Sequence, residues 1–181
     1  INTEKELSKN VYVSAFRLGC YIATQFKPNV AKTFYEMTNA KTVLDTSMGW
    51  GDRLTGFYAS NATTYIGCDP NPNTFERYKK MVEFFNKLTG GKKTVQMYNC
   101  GAEDLPWDEI SNVDCAFTSP PYFSTERYNE GGEKQELQSW FKFNEYESWR
   151  DNFYLPVSQK TLDSLNESGI MMVNILDPKV K

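Results

Sequence analysis

Hydrophobic and polar positions alternate along the chain with two periods, one typical of strands and one typical of helices. Short apolar runs predict five strands, at 41–45, 63–68, 94–98, 113–118 and 170–176. Apolar residues at helical spacing predict helices over 4–26, 29–38, 52–59, 73–89 and about 149–165. Because strands and helices alternate, we expect a mostly parallel sheet with helices on both faces.

Proline, glycine and asparagine set the expected helix boundaries. Pro28 is expected to end the first helix, and Asn73 is the expected N-cap of the fourth. Gly90 and Gly91 are expected to close that helix. Pro156 is expected to interrupt or kink the last helix. Residues 124–140, which hold two glycines and many charges, are predicted to form a long loop.

The composition indicates one intracellular, cytoplasmic domain. The 181 residues are 40% apolar and 24% charged, and no apolar run approaches the ~20 residues that span a bilayer. We find no signal-peptide pattern and expect no membrane partner. The cysteines show no CxxC spacing, so they are predicted to be reduced, buried thiols. They are Cys20, Cys68, Cys100 and Cys115.

The chain contains no histidine, which excludes histidine-based metal sites and Ser-His-Asp triads. Any chemistry must depend on carboxylates, hydroxyls, backbone groups or a reactive cofactor, and we predict no metal. The net charge of −3 argues mildly against binding phosphates over the whole surface. Five lysines lie close together in sequence and are interpreted as a solvated helix face. They are Lys79, Lys80, Lys87, Lys92 and Lys93.

The fourth predicted strand ends abruptly in Ser119-Pro120-Pro121-Tyr122. Proline fixes φ and removes a backbone donor, so the two prolines stiffen this exit and leave its carbonyls free to accept hydrogen bonds. A stiff loop that presents a hydroxyl, a carbonyl and an aromatic ring can bind a flat molecule with an amino group at its edge.

This stretch resembles motif IV of the nucleic-acid amino-methyltransferases, whose pattern is Asp/Asn/Ser-Pro-Pro-Tyr/Phe. That family transfers a methyl group from S-adenosylmethionine to the exocyclic nitrogen of adenine or cytosine. The resemblance implies that Ser119 and the Pro120 carbonyl bind the amine while Tyr122 stacks on the base. The implied catalytic residues are Ser119, Pro120, Pro121 and Tyr122.

Just beyond this motif, Phe123 and Arg127 are predicted to contact the substrate, Phe123 by helping to line its pocket. Six aromatic residues lie between Trp140 and Phe153, and we expect them to belong to the core rather than to a base-stacking strip.

Two acidic residues stand at the ends of the first two strands. Asp45 is followed by Gly49 and Gly51 at the start of a helix, and Asp69 comes twenty residues after Gly49. Glycine lets a backbone approach a ligand closely, and a carboxylate at the second strand end can accept both hydroxyls of a ribose. A dinucleotide fold is disfavoured, because Leu54 replaces the third small residue and Asp45 would lie near a pyrophosphate.

The run Val-Leu-Asp-x-x-x-Gly-x-Gly is similar to motif I of class I methyltransferases, and Asp69 matches their acidic motif II. The resemblance implies a site for the cationic cofactor S-adenosylmethionine. After the third strand, Gly101 stands where the family has an adenine-binding Asp, so Ala102 or Glu103 would substitute. The implied cofactor-binding residues are Asp45, Ser47, Met48, Gly49, Gly51, Asp69, Pro70, Asn71, Ala102 and Glu103.

The resemblance implies a Rossmann-like class I methyltransferase fold, with N-terminal helices over 1–40, an α/β core over 41–181 and the usual C-terminal hairpin missing. It implies methyl transfer to adenine N6 or cytosine N4 in DNA, as in restriction-modification and compact phage-type enzymes. A partner subunit or a missing C-terminal region would recognise the target. RNA, a protein glutamine, or a non-catalytic cofactor-binding role in a larger complex remain alternatives.

Overall fold

Five strands form one sheet in the part of the chain that the structure, a computed structural model, describes: residues 9–19, 25–123, 127–128 and 130–175. They are β1 (Thr42–Asp45), β2 (Thr64–Cys68), β3 (Thr94–Tyr98), β4 (Val113–Thr118) and β5 (Leu165–Val173). Their order is β3-β2-β1-β4-β5, and every neighbouring pair is parallel.

Helices connect these strands and flank the sheet. They are α1 (Lys9–Gly19), α2 (Pro28–Met37), α3 (Asp52–Ala59), α4 (Pro72–Thr89), α5 (Ser139–Lys142), α6 (Tyr146–Trp149) and α7 (Leu155–Asp163). A π-helical stretch, Arg150–Tyr154, joins α6 to α7, and short 3-10 turns cover Ala102–Asp104, Trp107–Glu109 and Gln135–Leu137.

The sheet packs helices on both faces, as predicted. Successive strand residues point to opposite faces, so Val43 and Leu44 enter different clusters of buried residues. The first cluster contains residues from α2, α3 and α4. The second contains residues from α6, the π-helical stretch and α7, among them Trp149 and Phe153. Phe141 and Tyr146 are exposed, so only part of the aromatic group after Trp140 belongs to the core.

The strand order creates a switch point between β1 and β4. The chain moves outward from β1 to β2 and β3 and then returns to the other side of β1 as β4. Ligands of open α/β sheets bind at such points, outside the carboxyl ends of the strands. The fold therefore places the residues that follow β1, β2 and β4 around one crevice.

Several predicted helix and strand boundaries agree with the structure, but the predicted N-cap of α4 was wrong. The helix at 52–59 and the strands at 94–98 and 113–118 have the predicted limits, and Gly90 ends α4 with φ 72°. The N-cap is Asn71 rather than Asn73, because Pro72 occupies the first helical position. The Asn71 side chain accepts a hydrogen bond from the Asn73 amide at 3.0 Å.

Two predicted boundaries differ because a proline and an irregular strand intervene. Pro28 begins α2, which was predicted from residue 29. Of the helix predicted over 4–26, Lys9–Gly19 is helical, and residues 4–8 and 20–24 lie outside the described residues. β5 starts at Leu165, and its pairing jumps from Val113↔Leu165 to Cys115↔Ile170, so the residues between bulge. The predicted loop at 124–140 contains a 3-10 turn and the start of α5.

The structure also describes most of the cysteines and the lysine cluster. Cys68 and Cys115 are buried and Cys100 is partly buried, whereas Cys20 lies outside the described residues. Lys93 is not merely solvated, because its ammonium donates to three carbonyls at the end of α3, at 2.7–2.8 Å. Within the described ranges, no helix is both long and apolar enough to cross a bilayer.

Candidate active site

A cleft of about 700 Å³ lies at the carboxyl ends of β1, β2 and β4. Its size falls in the range of small-molecule sites, roughly 300–1,000 Å³. Most residues singled out from the sequence line it. They are Ser47, Met48, Gly49, Asp69, Pro70, Asn71, Ala102, Glu103, Ser119, Pro120, Pro121 and Tyr122. The fold thus brings the motif after β4 together with those after β1 and β2.

Asp45 does not line this cleft, contrary to the sequence-based expectation of a cofactor contact. Its side chain is fully buried and accepts hydrogen bonds from Arg53 Nε at 2.9 Å and from the Tyr65 hydroxyl at 2.7 Å. The Ser47 amide donates to its other oxygen at 3.2 Å. The negative charge is therefore neutralised inside the protein, where it anchors the turn that follows β1.

Arg53 completes this buried pair from the first turn of α3. Its guanidinium also donates to the Ser47 carbonyl and lies 5.5 Å from the centre of the Phe26 ring. Burial opposes the charge of Arg53, but the charge and hydrogen bond of Asp45 outweigh that effect and raise its pKa. The pair fixes the backbone from Asp45 to Ser47, and Thr46 and Ser47 line the cleft.

The two glycines of the turn have different roles. Gly49 lines the cleft, and its amide donates to Asp69 Oδ2 at 3.2 Å while the Tyr78 hydroxyl donates to its carbonyl. Gly51 is buried behind the turn with φ 84°, and an added Cβ would meet Met81. Gly51 therefore serves the packing of α3 against α4 instead of the predicted contact with a ligand.

Asp69, unlike Asp45, lines the cleft. Its oxygens accept hydrogen bonds from two backbone amides, Asn71 at 2.9 Å and Gly49 at 3.2 Å. Burial raises its pKa to about 6 despite these hydrogen bonds. The carboxylate still has lone pairs for a ligand, and no basic side chain hydrogen-bonds to it within the described ranges.

Glu103 provides a second carboxylate that lines the cleft. One oxygen accepts from Lys142 at 2.6 Å, and the other is buried with no hydrogen-bond partner among the described residues. An added Cβ at Gly101 would overlap this carboxylate, so a side chain at this position, where the family pattern has an Asp, would displace the Glu103 side chain. Ala102 is buried, and its carbonyl accepts from the Trp107 indole at 3.0 Å.

The loop after β4 is connected to the end of β5 by Asn174. The Asn174 side-chain amide donates to Ser119 Oγ at 2.9 Å and to the Tyr122 oxygen at 3.2 Å. The Tyr122 hydroxyl in turn donates to the Asn174 carbonyl at 3.3 Å. Phe123 ends the loop in the left-handed region, with φ 49°. The hydroxyl and the aromatic ring are thus held together at the rim of the cleft.

The two predicted substrate contacts beyond this loop point elsewhere. Phe123 packs against Tyr146 and Trp149, with ring centres 5.7 and 6.0 Å away. Arg127 pairs with Glu130 at 2.9 Å and stacks over a neighbouring indole. Neither lines the cleft, whereas Tyr128 does. Local aromatic and ionic partners explain both corrections.

Several cleft residues were not predicted from the sequence. Asp52 accepts from Gln25 at 2.6 Å, and burial raises the pKa of Asp52. Ser139 lines the cleft with a buried hydroxyl that has no partner in the described ranges. Asn174 was placed inside a predicted strand, although β5 ends one residue before it. A correct strand end would have marked it, because ligand-binding residues gather there.

The arrangement of sheet, helices and cleft resembles solved methyltransferase structures. An rRNA methylase from Streptococcus thermophilus matches with a TM-score of 0.55 and 12% identity, over 87% of this chain and 76% of that chain. A methyltransferase from Geobacter sulfurreducens matches with a TM-score of 0.53 and 10% identity, over 94% and 72%. The chain has the Rossmann-like methyltransferase fold.

A third match was solved with a bound ligand. It is a Streptococcus mutans protein assigned as a methyltransferase, in complex with SAH. Its TM-score is 0.54 at 13% identity, over 83% of this chain and 73% of that chain. No protein-family profile matches the sequence, and curated protein sequences give no match either. At these identities the likeness establishes the fold alone.

Proposed function

We propose that the chain is an S-adenosylmethionine-dependent methyltransferase that modifies the exocyclic amino group of adenine or cytosine in DNA. The observation that carries this proposal is the meeting of Ser119 and Tyr122 with Asp69 and Glu103 in one cleft of a methyltransferase fold. One side offers acceptors for a nucleoside, and the other offers an acceptor and a ring for an aromatic amine.

The residues of the cleft suit the cofactor. Asp69 has a carboxylate with two backbone donors, so its remaining lone pairs can accept the ribose hydroxyls. Glu103 has a buried oxygen without a partner in the described ranges, and a bound adenine amino group would satisfy it. We therefore assign the ribose to Asp69 and the adenine to Glu103, while Ser47, Met48 and Gly49 line the space between.

The bound cofactor would supply an activated methyl group, so the protein needs mainly to bind and orient the acceptor. An exocyclic amine is a poor nucleophile because its lone pair is delocalised into the ring. Hydrogen bonds from its N–H groups to Ser119 Oγ and to the Pro120 carbonyl would favour a pyramidal nitrogen with a free lone pair. Positioning of this kind can contribute about 7–11 kcal/mol.

Tyr122 would stack on the base and hold it at the rim of the cleft. In a duplex, the target base would first have to leave the helix, at a cost of a few kcal/mol. Among the basic side chains at or near the cleft, Lys27 lines it, whereas Arg53 is paired with Asp45 and Lys142 with Glu103. We therefore propose that a partner subunit or a further region supplies most of the phosphate contacts.

RNA is the second candidate substrate. The Streptococcus thermophilus structure is an rRNA methylase, and its likeness to this chain supports testing RNA beside DNA. The same loop could also bind the amide of a protein glutamine. These substrates share the chemistry of an amino group on a planar carbon, so the loop geometry alone favours none of them.

The decisive experiment measures transfer of a labelled methyl group to DNA, RNA and protein, followed by digestion and mass analysis of the product. We expect N6-methyladenine or N4-methylcytosine from DNA. Ser119→Ala should lower turnover by about 10²-fold, in the lower range of acid–base and hydrogen-bonding catalytic groups, with cofactor affinity nearly unchanged. Equal loss of both quantities, or labelling of none of the three substrates, would contradict the proposal.

A further inference from the structure

Asn174 is the residue at the methyl-acceptor site whose contacts the sequence does not explain. β4 and β5 pair in parallel up to Thr118↔Val173. The main-chain N–H of Asn174 continues the pairing by donating to the Thr118 carbonyl at 2.9 Å. Ser119 and Asn174 therefore leave the sheet side by side. The register of the β4–β5 pair therefore sets the distance between Ser119 and Asn174.

Both hydrogens of the Asn174 carboxamide have acceptors in this loop. One is Ser119 Oγ at 2.9 Å and the other is the Tyr122 oxygen at 3.2 Å. The Tyr122 hydroxyl donates back to the Asn174 main-chain carbonyl at 3.3 Å. The ring of Tyr122 is thus held at its hydroxyl end by Asn174 and at its backbone end by two prolines.

These contacts determine what Ser119 can offer to an amine. A serine hydroxyl has one hydrogen and two lone pairs, and it rotates among staggered positions when nothing restrains it. Asn174 occupies one lone pair, which leaves one acceptor site and fixes the direction in which it points. A carboxamide suits this task because its NH₂ group can donate two hydrogen bonds, one to each partner.

We propose that Asn174 is a positioning residue of the methyl-transfer site, acting through Ser119 and Tyr122. The inference rests on the proposed function and adds to it the residue that orients the acceptor hydroxyl and the stacking ring. Asn174 touches neither the methyl group nor the cofactor in this role. Its removal should change turnover rather than cofactor binding.

The test compares Asn174→Leu, which keeps the shape and removes the hydrogen bonds, with Asn166→Leu. Asn166 is a matched control, because it has the same residue type at the other end of the β4–β5 pair and donates to Asp114 at 2.6 Å. We expect Asn174→Leu to lower kcat about tenfold, the loss of one or two hydrogen bonds, with cofactor Kd within twofold. We expect Asn166→Leu to leave kcat unchanged.

A second measurement separates positioning from general damage. In a Ser119→Ala/Tyr122→Phe background, Asn174→Leu should lower kcat no further, because its two targets are already gone. An unchanged kcat for Asn174→Leu alone would overturn the inference. So would a raised kcat with a lower KM, which is the result expected if the carboxamide merely blocks the acceptor site.

Hydrogen exchange tests the same contact without any substrate. The amides of Tyr122 and Phe123 should exchange faster in Asn174→Leu than in the wild-type chain, and at the wild-type rate in Asn166→Leu. Equal exchange in all three proteins would overturn the inference even if the chain methylates DNA. If exchange is faster in Asn174→Leu but the chain transfers no methyl group, the contacts of Asn174 with Ser119 and Tyr122 would be supported while the proposed function fails.

Discussion

Asp45 and Asp69 end neighbouring strands of the same sheet, yet their surroundings are opposite. Asp45 is fully buried against Arg53 and Tyr65, whereas Asp69 faces the cleft and is held by neutral donors, among them the backbone amides of Gly49 and Asn71. A carboxylate with an internal cation has its charge satisfied within the fold. A carboxylate held by neutral donors keeps capacity for a ligand. We therefore expect Asp45 to serve stability and propose Asp69 as a ligand-binding residue.

Asp45→Asn is expected to have the largest effect, and it tests the assignment of Asp45 to stability. The change leaves the buried guanidinium of Arg53 without a counter-charge, and loss of one partner of a buried pair typically costs about 3–5 kcal/mol. We expect the free energy of unfolding in urea to fall by that amount. The double variant Asp45→Asn/Arg53→Gln should lose less than the sum of the two single changes. A loss below about 1 kcal/mol would refute the structural role.

Asp69→Asn should have the converse effect. Loss of charge-assisted hydrogen bonds, worth about 1.5–3 kcal/mol, should raise the Kd for S-adenosylmethionine about ten- to hundredfold in calorimetry. The stability should stay equal or rise at pH 7, because burial disfavours the ionised form of this side chain. Asp108→Asn, on an exposed turn, is the matched control and should change neither quantity.

The pH dependence of cofactor binding sharpens the same contrast. Burial raises the pKa of Asp69 from 3.8 to about 6, so the carboxylate gains its proton as the pH falls through that value. Ribose hydroxyls donate to the ionised form, so affinity should rise with pH and be about tenfold weaker at pH 5 than at pH 7. Asp69→Asn should flatten the profile. A wild-type slope that persists in this variant would point to another group.

Sequence reasoning predicted that the motifs follow the ends of strands, but not the role of each side chain. Both aspartates stand at strand ends in the sequence, and only the three-dimensional fold shows that Arg53, in the first turn of α3, hydrogen-bonds to Asp45. Likewise Gly51 and Gly49 look equivalent in the motif, yet one packs against Met81 and the other faces the cleft. The local sequence pattern predicts the course of the backbone, whereas partners distant in sequence determine the role of each side chain.

The loop after β4, residues 119–122, illustrates the same limit of sequence reasoning. Ser119 to Tyr122 could be identified from the sequence because two prolines and an aromatic residue make a rare local signal. Asn174 lies 55 residues beyond Ser119 and has no such signal. Its contact depends on the pairing of β4 with β5 and on the residue at which β5 ends. A predicted strand that ran to residue 176 concealed it.

Glu103 is intermediate between Asp45 and Asp69, because only one of its oxygens is paired with a cation. Substitution of that cation, Lys142, is expected to have the smallest effect. One oxygen is bound to Lys142 and the other is buried without a partner within the described residues, so we propose that the cation orients the carboxylate for the ligand. The pair is partly exposed, so Lys142→Met should change the free energy of unfolding by less than about 1 kcal/mol. Cofactor Kd should rise about two- to threefold, because the carboxylate loses its fixed orientation.

Lys142→Arg keeps the charge and should retain most of the affinity, whereas Lys87→Met removes a fully exposed pair with Glu83 and should change nothing at the cleft. If Lys142→Met instead bound the cofactor more tightly, the cation would be competing with the adenine for Glu103. Glu103 would then resemble Asp45, with its charge satisfied inside the fold, and the assignment of its free oxygen to the ligand would be wrong.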